Sequence, residues 1–434
     1  MIMVRRIIAV ICALAVPMLC NAAALYVTPE EFGAKADGIS DDAPAFNACI
    51  QSGKQIRLQQ GRKYLLKSRL CRIAGPSFEL KGNGATVIID RTYPVAEYDQ
   101  IFGHADYSSR HNSFIISDVS IECRLAQKFP QREKKGDTYI ICIGLCDKAE
   151  ICNVRFEDAG TYNNVTFLVN MGANLVFTDC KVKSHSRSGQ GGALWVMNKY
   201  LGTMSLDMRR VDIDYDTKDE CFCISLDPAT ELKECRFKAT VRDCTFTGPG
   251  QVQSSGFFIE HSNTGKAVSH FDVRFLGSTF VSRGKYPHRI VFYQSGAEPR
   301  NEFKTVYKKC RFEYAPKVRS ELGLISMVPM HTGLPPQNVY TAFRNCVFEV
   351  SNVCSIIGDK DGETAGMCTF RNCSVNTDGE LFVRAYNPGA GNVRISTRGG
   401  TMRCGGEYIT TESLDARRTV FSNGSMDKMK GRLL

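Results

Sequence analysis

Apolar and polar residues alternate along most of this chain with the period of two expected of β-strands, and the alternation slips at regular intervals. The segments VFTDCKV (176–182), TVRDCTF (240–246), YKKCRF (307–312), AFRNCVF (342–348) and TFRNCSV (369–375) share one template. An apolar residue and any residue precede a bend residue, then follow Cys, any residue and an apolar residue. The bend column reads Asp118, Asn153, Asp179, Arg210, Asp243, Gly277, Lys309, Asn345, Asn372 and Gly399, in steps of 26 to 36 residues. Apolar positions fall two residues before the bend and three after it, so both flanks face inward only if one residue turns the chain. Eight of the ten bend residues are Asn, Asp or Gly, the types that tolerate a left-handed backbone.

A third apolar segment follows each copy after a polar loop, as at 192–198, 221–227, 256–262 and 289–295. Three short strands per repeat, one tight bend and two variable loops predict an all-β chain: a right-handed, single-stranded parallel β-helix of about ten rungs. The spacing fits neither a propeller nor a leucine-rich repeat. Cys180, Cys244, Cys310, Cys346 and Cys373 fall in one inward column, where thiols act as small buried hydrophobes.

Composition sets the compartment. Arg5 and Arg6 precede an apolar run from Ile7 to Leu19 and a small-residue stretch, Asn21 to Ala24, so residues 1–24 are expected to be a secretory signal peptide and the protein secreted or periplasmic. The run is too short to span a bilayer, and no stable membrane insertion is expected. Of 19 cysteines, 17 remain after residue 24, an odd number that leaves a thiol over in an exported monomer. The net charge of +10 points to an anionic partner. Lys/Arg runs with interleaved aromatics are missing, so nucleic acid is not expected.

The stretch EEFGAKADGISDDAPAFNACI (30–50) opens the mature chain on a tight turn and a helix. Its residues Phe32-Gly33-Ala34-Lys35-Ala36-Asp37-Gly38, Asp41-Asp42 and Ala45 to Ile50 resemble the N-terminal signature of the pectate-lyase-like β-helix superfamily, in its polygalacturonase-related and phage-tailspike branches. Glu31 stands where the family has Asp. Asp41 or Asp42 is read as a helix cap, with Pro44 in the first turn, and the helix as a plug over the open end of the β-helix. The expected divisions are 25–70 for the N-terminal cap, 71–412 for the β-helix and 413–434 for a C-terminal tail or cap.

The resemblance implies a polysaccharide partner and places the chemistry on the third strands and the loops before them. Trp195, Phe258 and Tyr293 fall on the outward parity there, with His185, Arg187, His261 and Lys285 as further substrate-binding candidates. Glu260 with Asp227 or Asp219 is the candidate acid pair for hydrolysis; Arg289 and His288 are candidates for elimination from a uronic acid. The expected function is a lyase or glycoside hydrolase acting on an acidic glycan, with a non-catalytic binding or adhesion β-helix and a uronate epimerase as alternatives. No cofactor is expected. Asp212-x-Asp214-x-Asp216 has the alternation of a Ca2+ site but lacks the Gly and closing Glu of an EF-hand, and Cys142-x3-Cys146 and Cys221-x-Cys223 lack a second pair at zinc-finger spacing. Asn376-Thr377-Asp378-Gly379 resembles a polygalacturonase element, but the remaining elements of that set do not follow it, so it is read as a polar turn. A monomer and a trimer are both compatible with the sequence.

Overall fold

The computed structural model describes residues 25–90, 98–124, 137–158, 164–184, 192–215, 222–226, 232–248, 258–263, 267–282, 289–294, 300–316, 319, 323–330, 338–353, 355–357, 366–382, 393–405, 407–409 and 419–421. The expected signal peptide lies outside them. Strands pair in parallel, each with its counterpart one turn further along the chain: Thr203–Arg209 on Glu234–Arg242, then Val268–Leu276, then Glu302–Lys308. A second ladder runs in parallel through Lys181–Ser184, Asp212–Tyr215, Thr245–Gly248 and Thr279–Ser282. The third strands form a separate eight-stranded sheet. This is the right-handed parallel β-helix that the repeat predicts.

All ten bend residues adopt positive φ, from 50° at Arg210 to 64° at Gly399. The structure adds an eleventh, Asn83 at 51°, whose amide donates to the Leu58 carbonyl one rung back. Side chains in the column also bond rung to rung: Asn153 donates to Asp118 at 2.8 Å, and Arg210 grips Asp179 through two bonds of 2.6 and 2.7 Å. At Gly399 a Cβ would lie 2.3 Å from the Asn372 amide oxygen, so glycine there leaves room for the previous rung's side chain.

The cysteine column is buried, and it also has a hydrogen-bonding role. Cys180 and Cys244 donate to the carbonyls two residues earlier, Thr178 and Arg242, and accept from the Val154 and Val211 amides. Ser278 donates to Leu276 in the same way. A small donor thus adds a second bond to a carbonyl that already accepts an amide from the rung before, as Arg242 does from Arg210 and Leu276 from Asp243. Burial pushes the Cys180 and Cys244 thiols up to about 12, so they stay protonated and inert.

Helix α1 (Ala43–Ser52) lays Ala43, Ala45, Phe46 and Cys49 against the first rungs and ends at Gly53, φ 67°. Asp42 stands at its N-cap position, yet its side chain makes no cap bond. The carboxylate, 1% exposed, instead accepts from the amides of Lys35, Ala36 and Leu65. Asp41 takes the capping part, accepting from the Ala43 amide, and also from Lys67. The pair therefore staples the opening turn to the strand Lys63–Leu66. Parallel stacking already begins within the 25–70 segment, where Tyr26–Val27 pairs with Gln55–Arg57. At the other end Glu407–Ile409 and Thr419–Phe421 pair antiparallel with Val393–Cys404.

His104 and His111 stack in the interior near the start, centroids 3.8 Å apart. The His104 Nδ1 accepts from the Gly144 amide, which leaves the proton on a buried Nε2 without a partner. Burial, with His111 adding to it, pushes His104 down to about 3, so the folded ring is neutral where the unfolded ring would protonate near 6.5. Stability from this group is complete above about pH 6.5 and is lost as pH falls towards 3. We expect it to make the wild type about 2 kcal/mol less stable at pH 5 than at pH 7, a difference that His104→Gln should remove in denaturant titrations. Equal pH slopes for the two proteins would refute it.

Candidate functional site

The eight-stranded sheet runs Tyr98–Gly103, Asp137–Ile143, Asn164–Asn170, Leu194–Met197, Phe222–Leu226, Phe258–Asn263, Arg289–Gln294 and Ser326–Met330, all parallel. Register fixes its faces. Phe102, Ile141, Leu168, Leu194 and Phe222 share one column and are buried in the core; Ile259 and Ile290 continue it. The adjacent outward column reads Gly103, Cys142, Val169, Trp195, Cys223, Glu260, Val291 and Val328. Trp195 and Glu260 thus stand in one column two rungs apart, about 9.6 Å at a spacing of about 4.8 Å.

Around Trp195 the outer face carries a second apolar cluster, separate from the core. Tyr139, Cys142 and Val169 are its buried members, and Tyr107, Met171, Trp195 and Met197 pack on them, partly buried. The Tyr139 and Trp195 rings lie 6.3 Å apart at 51°. The Trp195 indole N–H is buried and makes no hydrogen bond. Burial raises the Tyr107 hydroxyl well above the usual tyrosine range and pushes the Cys142 thiol up to about 12, against a hydrogen bond with Tyr107 and the charges of Arg72 and Lys199, which pull it back. A thiol so held does not act as a nucleophile at neutral pH.

The other candidates divide by position. Phe258 and Arg289 are in register with each other, and Tyr293 shares a column with Met197, Ser225 and Ser262. His261 falls in the column of Val196 and Ile224, both buried, and so at an inward register position. Asp219, Asp227, His185, Arg187, Lys285 and His288 lie outside the described residues. Sequence reading missed Tyr139 and Tyr107; a spacing of three from Cys142 gives Tyr139 the opposite parity in a strand, so only the ring contact with Trp195 reveals it.

Asp212 and Asp214 stand exposed, in register with Lys181 and Lys183 on the neighbouring strand, so each alternate carboxylate faces a cation position, although Lys183 itself is paired with Glu157; Asp216 lies outside the described residues. No group of three metal-ligating side chains gathers among the described residues. Asp378 forms a turn in which it accepts from the Asn352 amide. Among the described residues no helix is long and apolar enough to cross a membrane.

Fold and face together define a parallel β-helix with an aromatic cluster on the outside of its third-strand sheet. No family model matches the chain, and no curated protein is matched by sequence. Among solved structures, the pre-mature gene product 12 of bacteriophage phi29 is similar over 91% of this chain at 14% identity and a TM-score of 0.50, and the chain spans 58% of that protein's length. ORF18 of Geobacillus virus E2 is similar over 97% of this chain and 69% of its own, at 13% identity and a TM-score of 0.41. PfbA, a surface adhesin of Streptococcus pneumoniae, is similar over 89% of this chain and 91% of its own, at 13% identity and a TM-score of 0.39. At such identities the likeness concerns the fold alone.

Proposed function

We propose that this chain is an exported polysaccharide-processing protein that seats an acidic glycan along the outer face of the eight-stranded sheet. The observation that carries the reading is the single outward column holding Trp195 and, two rungs on, Glu260. An indole face takes the apolar side of a sugar ring, and the Glu260 register position, two rungs along the same line, falls about two sugar units further along a glycan laid on this column. Asp227 or Asp219 is the proposed second carboxylate for hydrolysis, and Arg289 with His288 the proposed elimination pair. Phe258, Tyr293, Lys285, His185 and Arg187 are the proposed lining; His261 ranks last because of its register. The net charge of +10 favours an anionic glycan.

A second reading, a binding or adhesion β-helix without catalysis, is favoured by the part of the column before Glu260: Gly103, Cys142, Val169, Trp195 and Cys223 include no carboxylate and no imidazole, and burial keeps the Cys142 thiol protonated. Incubation with a panel of acidic glycans separates the two. Ultraviolet-absorbing unsaturated ends identify a lyase, new reducing ends without absorbance a hydrolase, and retention without product the adhesion reading. Under either reading Trp195→Ala should weaken glycan binding about tenfold or more by calorimetry, as loss of a central aromatic does. Undiminished binding would remove the outer face from consideration.

A further inference from the structure

A second feature lies on a different face. The residue just before each bend forms an outward column of its own, running Arg209, Arg242, Leu276, Lys308, Arg344, Arg371 and Arg398 in successive rungs. Upstream, its charge is answered within the fold: Arg209 is paired with Asp207, which also feels Arg242. From Lys308 onward this changes. Lys308, Arg344, Arg371 and Arg398 are four consecutive exposed cations, and none has an ion pair among the described residues. The register positions two residues back hold no charge: Val306 and Ala342, both buried, then Thr369 and Ser396; the bend beside them holds Lys309, Asn345, Asn372 and Gly399. The nearest carboxylates are engaged elsewhere: Glu302, at the start of the Lys308 strand, holds His270, and across the bend Glu313 takes Arg311 and Glu349 takes the Asn376 amide.

Like charges directly opposite on neighbouring strands repel, so this stretch costs the fold stability that the upstream pairs do not. We infer that Lys308, Arg344, Arg371 and Arg398 form a binding ladder for a linear acidic polysaccharide, distinct from the Trp195 face. The cations repeat at about 4.8 Å, the rung spacing, which is comparable to the length of one sugar unit in an extended chain; each rung can then meet one carboxylate or sulfate. Nucleic acid fits less well. Phosphates of a duplex strand advance about 3.4 Å along the axis, out of step with the ladder. A single strand needs successive aromatic platforms, and beside the ladder Tyr340 alone supplies one among the described residues, its hydroxyl held by Thr369 at 3.2 Å.

The test uses the full mature chain in the Trp195→Ala background, so that the outer-sheet reading and this one fail separately. Polygalacturonate is titrated at low salt. Substituting Lys308, Arg344, Arg371 and Arg398 by Gln should weaken binding at least tenfold and flatten its salt dependence, whereas Arg344→Lys with Arg371→Lys should keep it within about threefold. Should the fourfold variant not fold, Arg344→Gln with Arg371→Gln carries the same expectation. A measurement on the unaltered ladder needs no variant: methyl-esterified polygalacturonate keeps the sugar and loses the charge, and should bind at least tenfold more weakly. Equal binding by the Gln variants, or by the methyl ester, would overturn the inference. Duplex DNA competing as well as polygalacturonate at equal charge concentration would overturn the glycan assignment in favour of nucleic acid.

Discussion

Phe312→Ala is expected to lower the unfolding free energy by about 3–5 kcal/mol, the range for deleting a fully buried aromatic ring. Phe312 has no exposed surface and stacks face to face with Phe280 at 4.9 Å and Phe348 at 4.6 Å, the corresponding residues of the rungs on either side. Tyr307 and Phe343, from the facing column, meet its edge at 5.4 and 5.7 Å. That column is itself stacked, Phe275 on Tyr307, Phe343 and Phe370. The strand ladder holds neighbouring rungs at a fixed spacing, so rings above and below cannot move in to close the gap, and the cavity term is felt nearly in full. In a repeat architecture the loss falls on the two interfaces of one rung. Denaturant titration should show it as a lower midpoint with native β circular dichroism retained. Phe312→Leu, which keeps most of the volume, should cost less than half as much. An alanine variant within about 1 kcal/mol of wild type would mean that the stack is looser than the ring distances imply.

How much of this was legible beforehand depends on what each position must do. The bends were legible because a left-handed residue is chemically restricted: ten positions chosen from Asn, Asp, Gly and their spacing all have positive φ. Asn83 escaped because Gly84 beside it is left-handed too and the Cys template is absent there. The cysteine column was legible as burial but not as hydrogen bonding, since its donors reach carbonyls whose positions depend on the bend geometry. The residue before each bend was read as unrestricted, although Arg recurs there in the segments AFRNCVF and TFRNCSV. Only stacking converts that recurrence into a ladder. On the third strands, parity named the outward face correctly for Trp195, but period two does not tell a covered outward residue from an exposed one: Cys142 and Val169 face out and are fully buried. The sequence offers Asp41 and Asp42 equally as caps, and which of them caps turns on where Leu65 and Lys67 lie, which is tertiary information.

If the proposed polysaccharide-processing reading holds, Glu260→Gln is expected to reduce product formation by about 100- to 10,000-fold while leaving glycan affinity within about threefold, the pattern for loss of a general acid or base. Glutamine keeps the size and polarity of the side chain but does not carry a proton between donor and acceptor, so binding and chemistry separate. Trp195→Ala should give the converse: weaker binding, with the rate at saturating substrate less affected, because stacking two rungs away helps substrate and transition state alike. The kind of product then assigns the partner of Glu260. Reducing ends without ultraviolet absorbance call for a second carboxylate, and Asp227→Asn and Asp219→Asn should identify which supplies it. Unsaturated ends call for a cation beside the uronate, and Arg289, in register with Phe258 on the neighbouring strand, should then be as sensitive as Glu260. An unchanged rate in Glu260→Gln would move the chemistry off this column. Binding that depends on Trp195 with no product from the wild type would establish the adhesion reading instead, since the indole can hold a sugar ring without a catalytic group beside it.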